Sequence, residues 1–314
     1  MIKLNEKSSL LDCQRHYVDD CLARGQSPST GETNRVLLGC FIDWCFPQEI
    51  VEIGQLNLDL LESYRAYLYR WRKSCNGEPL SVSTQRMRLM AITGLLKRLY
   101  NLNKLESDFY KGFELPRVKK NKLLDIPSEK EMTLIIAQTA TKGKMAVRDK
   151  AIMELYYASG MRRAELANLD IRDIDYQEQV VKVRKGKGGV DRVIPIAPRT
   201  LATITIYMNE LRPEMATIES GVALFLGMTG KRIQNSALTD LVGGYIRRSG
   251  VSDKGACHVL RHASATHMLR NGADIRYIQD FLGHEHIVST QIYTHVYQED
   301  LKRVYSQTHP AYRG

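Results

Sequence analysis

The sequence predicts a mainly α-helical protein with one small β-sheet, arranged as two domains. Three observations carry that expectation. The first hundred residues place apolar side chains at helical spacing between capping residues and glycines. One pair of β-rich runs flanks a glycine turn near residue 187. A proline-bounded basic stretch divides a chain of 314 residues, long enough for two cores.

Leu10 to Arg24 forms an amphipathic helix closed by Gly25, with Leu10, Cys13, Tyr17/Val18 and Cys21 in register. Ser29 to Glu32 reads as a capping box that opens a helix to about Cys45. Asp59 to Glu62 opens another, running to Lys73, and Asn76-Gly77 with Pro79 marks a turn. A long helix follows from Ser83 to Tyr100, carrying Arg86, Arg88, Lys97 and Arg98. Tyr64, Tyr67, Leu68 and Trp71 read as core residues. The basic side chains of the long helix suit a solvated face or a phosphate-facing one equally well.

Residues 114–127 read as a linker, because Pro116 and Pro127 resist helix and Arg117, Lys119, Lys120 and Lys122 give a positive tether. This assigns 1–113 to a helical domain and 128–314 to a second domain, which opens with a capping box at Ser128 to Glu131 and a helix to about Ala140. A helix over 148–159 is closed by Gly160 and followed by the segment G-M-R-R-A-E-L, in which Glu165 is placed to pair with an arginine and Arg163 to face solvent. Val180 to Arg184 and Arg192 to Ile196 form a hairpin around Lys185 to Gly189, and a lysine at such a tip can reach a groove or a leaving oxygen. The glycines fail the Walker pattern, which needs a helix after G-K-[ST]. A helix over 236–249 ends at Gly250, and Gly243-Gly244 within it weakens the expectation of a regular helix.

Residues 257–297 hold the densest chemistry. His258, Arg261 and His262 stand at i, i+3 and i+4 on one helical face, and Gly272 suits the left-handed position after that helix. Asp274 caps a second short helix with Ile275, Ile278 and Phe281/Leu282 on its apolar stripe. Gly283 stops it and presents His284, and Ser289 or Thr290 caps a third helix bearing Tyr293. A phenol titrates near ~10, so about 0.1% is ionised at neutral pH. Neighbouring guanidinium groups favour the phenolate and stabilise charge on a pentavalent phosphorus, which suits attack on a phosphodiester.

These motifs, H-x-L-R-H, then L-G-H, then a tyrosine nine residues beyond that histidine, resemble the signature of the tyrosine recombinases, most closely the bacterial Xer-type members. The segment around Arg162 resembles the G-[LM]-R-x-[SA]-E-L box of that family. The resemblance implies catalytic roles for Arg162, Lys187, His258, Arg261, His284 and the nucleophile Tyr293. Lys187 falls on the family's G-K-G, with Lys185 its rival, because the spacing from the first arginine departs by one residue and Val190 stands where a further basic residue is common. The resemblance also implies a C-shaped clamp around DNA, with a helical, SAM-like core-binding domain on one side and a mixed α/β catalytic domain on the other. Arg86, Arg88, Lys119, Lys120 and Arg192 are the expected DNA contacts.

The implied reaction is site-specific cleavage and rejoining of DNA strands through a 3′-phosphotyrosine and a Holliday junction, serving mobile-element integration and excision or dimer resolution. It needs no cofactor, because one phosphodiester is exchanged for another. The implied partners are double-stranded DNA with a specific site and a homotetramer on two sites, or a heterotetramer with a second recombinase. Two other readings are a type IB topoisomerase or telomere resolvase and a non-catalytic DNA-binding regulator. The complete residue set argues against the regulator.

The net charge of +10 points to a polyanion partner. No apolar run reaches the roughly 18 residues of a membrane span, and no signal-like segment begins at Met1, so a cytoplasmic, nucleoid-associated protein is expected. The six cysteines form no C-x-x-C pair and read as reduced. Histidines 258, 262, 267, 284 and 286 include an i, i+4 pair that can face zinc. The glutamate of H-E-x-x-H is absent and Arg261 between the pair repels a cation, so no metal is expected.

Overall fold

The computed structural model describes residues 4–73, 76–118, 126–141, 143–184, 191–252, 255 and 257–283. The chain divides into two compact units, 1–122 and 123–314.

The first unit is built on four helices: α1 (Leu10–Ala23), α2 (Pro28–Cys45), α3 (Leu58–Arg70) and α4 (Val82–Asn101). Each starts at a side chain that accepts a backbone N–H, namely Ser9, Ser27, Asn57 and Ser81. Two starts precede the expected ones by two residues, and α4 begins one residue early. Ser27 caps α2 in place of Ser29 because Pro28 is pre-set for the first helical position. Asn57 caps α3 in place of Asp59, which sits in its first turn where a negative charge favours the helix dipole. Helix α3 also ends at Arg70, where Trp71 turns to extended backbone. The core joins Leu38, Phe41, Leu61, Tyr64, Leu68, Leu89, Ile92 and Leu96, each almost fully buried. Burial of such side chains contributes about 1.5–3 kcal/mol each. Trp44 packs on Phe41 and Tyr64, as core packing of the aromatic group requires, while Tyr67 stays partly exposed at the edge.

The second unit surrounds α6 (Ala146–Ser159), whose buried residues Ile152, Met153, Leu155 and Tyr156 face several neighbours at once. Around it lie α5 (Glu129–Ala137), α7 (Arg163–Ala167), α8 (Pro198–Ile206), α9 (Arg212–Met215), α10 (Asn235–Arg248), α11 (Cys257–Arg270) and α12 (Ile275–Leu282). The capping box at Ser128 and Glu131 forms as expected. Strands β1 (Ile174–Asp175), β2 (Val180–Val183) and β3 (Arg192–Pro195) make an antiparallel sheet in that order. The register sets Val183 opposite Arg192 and Val180 opposite Pro195. Val181, Val183 and Ile194 point into the core while Lys182 and Val193 point out, the alternation a half-buried sheet demands.

Helix α10 runs unbroken through Gly243 and Gly244, as the helix expected over 236–249 requires. A Cβ on Gly243 would stand 3.2 Å from the Gly255 carbonyl oxygen, so the helix passes close to that backbone and a larger residue would have to push it aside by a few tenths of an ångström. Within the same core, Arg148 pairs with Asp149 at 2.7 Å and Tyr245 donates to the same carboxylate at 2.6 Å. Among the described residues no helix is long and apolar enough to cross a membrane. Cys13, Cys21, Cys40, Cys45 and Cys257 are free thiols.

Candidate active site

The site forms where side chains from three separate segments meet one helix terminus. Helix α12 stops at Gly283, whose left-handed backbone (φ 64°) closes the last turn. Its final carbonyls would otherwise be orphans at the negative end of a helix dipole. Three consecutive ones each accept from a different arginine. Arg192 Nε donates to Phe281 O at 3.2 Å, Arg261 Nη2 to Leu282 O at 2.9 Å, and Arg162 Nη2 to Gly283 O at 2.6 Å.

The arginines arrive from separate elements. Arg162 precedes α7, and its turn follows from Gly160, left-handed at φ 53° at the end of α6. A Cβ on Gly160 would meet Phe281 Cε1 at 2.8 Å, so the glycine also admits the end of α12. Arg261 comes from the buried side of α11 and donates Nη1 to Gly160 O at 2.5 Å. Arg192 opens β3 and is 12% exposed. Its Cδ and Nη1 would stand 3.1 Å from a Cβ on Gly283, so it lies directly against that turn.

Glu165 binds two of these arginines. Its Oε1 accepts from Arg162 Nη1 at 2.9 Å and Arg192 Nη1 at 3.0 Å. Its Oε2 accepts from the Arg162 backbone N–H and from Arg192 Nη2, both at 2.7 Å. All the lone-pair directions of the carboxylate are then used. Burial opposes the charge, but hydrogen bonds from Arg192 and the Arg162 backbone, with the Arg192 charge, outweigh it and hold the carboxyl down at about 2. Because the folded value lies below the ordinary 4.5, this pairing stabilises the fold fully above that value and is lost as pH falls toward 2. Arg163 is exposed and donates to Thr239.

The face of α11 is graded from core to surface. Arg261 is buried, His262 is half-buried and His258 is exposed. Burial lowers the His262 pKa below 6.5, and the charges of His258 and Arg261 add to that. His267, further along, is occupied on both ring nitrogens: Nδ1 meets Tyr157 Oη at 2.7 Å and Nε2 meets Pro127 O at 2.9 Å. Among the described residues no three His, Cys, Asp or Glu side chains gather to hold a metal ion.

The hairpin that carries Lys185 and Lys187 is fastened at both ends. Arg184 leaves β2 paired with Asp173 and, at 3.9 Å, with Asp170, while Arg192 enters β3 paired with Glu165. Residues 185–190 lie outside the described residues, as do Lys119, Lys120, His284 and Tyr293. Of the expected DNA contacts, Arg86 donates to Pro116 O at 2.9 Å and Arg88 lies over the Trp71 ring at 5.7 Å. Arg192 spends its guanidinium inside the site. Sequence spacing offers no sign of that arrangement, since Glu165 and Phe281 lie 27 and 89 residues away.

Comparison with known proteins matches residues 128–300 to the phage integrase family. The chain is 36% identical over 295 residues to tyrosine recombinase XerC 2 of Ralstonia nicotianae, covering 94% of this chain and 84% of that protein. Its fold resembles the XerH site-specific recombinase bound to a palindromic difH substrate in a post-cleavage complex, with TM-score 0.69 and 22% identity over 90% of this chain and 81% of that one. It also resembles a lambda integrase tetramer bound to a Holliday junction, with TM-score 0.68 and 13% identity over 92% of this chain and 78% of that one.

Proposed function

The chain belongs to the phage integrase family and is a tyrosine site-specific recombinase, and we propose that it exchanges DNA strands through a covalent 3′-phosphotyrosine. The observation that supports this reading best is the meeting of Arg162 and Arg261 on the α12 turn, one residue before His284 in the chain. Two guanidinium groups there can clamp the non-bridging oxygens of a phosphodiester. Phosphoryl transfer needs little beyond such positioning and charge.

In the proposed reaction Tyr293 Oη attacks phosphorus and the bond to the 5′-oxygen breaks. The phenolic proton passes to His258, which is exposed on α11, whereas burial lowers the pKa of the half-buried His262. His284 donates to the phosphate, and Lys187 delivers a proton to the departing 5′-oxygen. The products are a 3′-phosphotyrosyl enzyme and a free 5′-hydroxyl. A 5′-hydroxyl from a second duplex then reverses the chemistry, so bond energy is conserved and no ATP is consumed. Exchange proceeds within a tetramer on two sites, through a Holliday junction like the one the lambda integrase structure contains. The same exchange serves integration and excision of a mobile element or resolution of dimers.

The first test uses duplexes selected by binding from a random pool. Exchange between two selected sites is the expected result. Relaxation of a single supercoiled plasmid without exchange would favour a type IB topoisomerase instead.

The lysine is tested separately. Lys187→Ala is expected to slow cleavage of an ordinary substrate and to recover when sulfur replaces the bridging 5′-oxygen, because a thiolate leaves without a proton. Recovery by Lys185→Ala and not by Lys187→Ala would move the role to Lys185.

A further inference from the structure

Arg192 stands where a charge problem arises. Glu165 is a buried carboxylate within hydrogen-bond distance of Arg162. Paired one to one, it would cancel the charge that Arg162 is to bring to a phosphate. The carboxylate instead receives two hydrogen bonds from Arg192 and only one from the Arg162 side chain. A second guanidinium therefore balances Glu165 and leaves the cluster net positive. The third Arg192 donor takes Phe281 O, and its side chain packs beneath Gly283. One residue thereby joins the α7 turn, the start of β3 and the end of α12.

We infer that Arg192 is a positioning residue of strand transfer, which neutralises Glu165 so that Arg162 keeps its charge for the scissile phosphate. This rests on the reading that the cluster binds that phosphate. It departs from the sequence expectation of a DNA contact, because the side chain is 12% exposed and its guanidinium is committed to partners within the protein. It also explains why a carboxylate is tolerated beside a phosphate-binding arginine. Glu165 fixes the Arg162 backbone through the bond to its N–H, and Arg192 offsets the charge that this fixing introduces.

The test is a four-protein cycle: the wild type, Arg192→Met, Glu165→Gln and the double variant. Each is measured for single-turnover cleavage at saturating concentration on a nicked duplex recovered from a random pool, and for affinity to that duplex. Arg192→Met is expected to lose about 100- to 1,000-fold in cleavage, the range for removing a preorganised charge, with affinity changed little. Adding Glu165→Gln is expected to restore about tenfold, because a neutral amide no longer cancels Arg162. A purely structural Arg192 predicts the opposite, since the double variant loses two supports of the same turn. Cleavage of the double variant equal to or below that of Arg192→Met would overturn the proposal.

A fall in affinity with unchanged cleavage at saturation would overturn it too, and would make Arg192 a DNA contact. Should Arg192→Met fail to fold, Arg192→Gln with and without Glu165→Gln asks the same question. Glutamine removes the charge but keeps a hydrogen-bond donor for Glu165, so a similar loss is expected, and Glu165→Gln should again relieve it. No relief in that pair would count against the proposal equally. A wild type that forms no covalent adduct would remove the underlying reading and this proposal with it, whereas a wild-type adduct without rescue removes only this proposal.

Discussion

Tyr293→Phe is expected to abolish covalent attachment to DNA while leaving DNA affinity within about tenfold of the wild type. The change removes only the oxygen proposed to attack. No other atom of the side chain can bond to phosphorus, so the loss of adduct should be complete. One hydroxyl contributes about 0.5–1.5 kcal/mol through a hydrogen bond, which bounds the effect on affinity. Affinity itself comes mainly from phosphate contacts and should fall steeply with salt as counterions are released. A denaturing gel of protein with a nicked duplex reads the adduct, and a band-shift titration reads the affinity. A covalent band that persists in Tyr293→Phe would move the nucleophile to another tyrosine, with Tyr297 the first to examine.

Arg261→Ala and Arg162→Ala are expected to slow cleavage by about 100- to 1,000-fold each, the effect of losing one preorganised donor worth roughly 3–4 kcal/mol at the transition state. Their effects on stability should differ. Arg261 is 7% exposed and satisfies the carbonyls of Gly160 and Leu282, so its loss leaves two buried acceptors unpaired. Each such acceptor costs about 1–3 kcal/mol. The Arg162 side chain is 27% exposed, and water can replace its bond to Gly283 O. Thermal unfolding should therefore fall clearly for Arg261→Ala and less for Arg162→Ala, while both lose cleavage. Cleavage at the wild-type rate by either variant would refute the clamp.

Local signals in the sequence located the ends of the elements around the site. Gly160, Gly272 and Gly283 were expected after helices, and each takes a positive φ, at 53°, 95° and 64°. The capping residues Ser128 and Asp274 and the hairpin strands also form where they were expected. These features depend on neighbours within a few residues, which a sequence displays directly. Helices α8 and α9, and the π-helical turn at Tyr207–Leu211 between them, have no clear local signal in the sequence. Their stripe of Leu201, Ile204 and Leu211 is short, and Pro198 and Pro213 suggest breaks when they in fact open helical turns.

The candidate site divides along the same line. The spacing of His258, Arg261 and His262 gave a shared helical face, but not the gradient that buries Arg261 and exposes His258. That gradient depends on α6 and α12 packing against α11, which are contacts between distant segments. Glu165 lies three residues from Arg162, so their pairing could be anticipated from one helical turn. The joining of Arg192 to the same carboxylate depends on the start of β3 lying beside α7, and only the folded chain displays it.

The most direct test of the reaction is to map the covalent adduct at both of its ends. Wild-type protein is trapped on a nicked selected duplex, digested with protease, and the DNA-linked peptide is sequenced by mass spectrometry while the released strand end is labelled. The expected result is a peptide joined through Tyr293 to a 3′-phosphate, with a free 5′-hydroxyl on the opposite strand end that accepts phosphate from a kinase. A peptide linked through any other residue, a 5′-phosphate linkage, or no adduct at all would contradict the proposed mechanism.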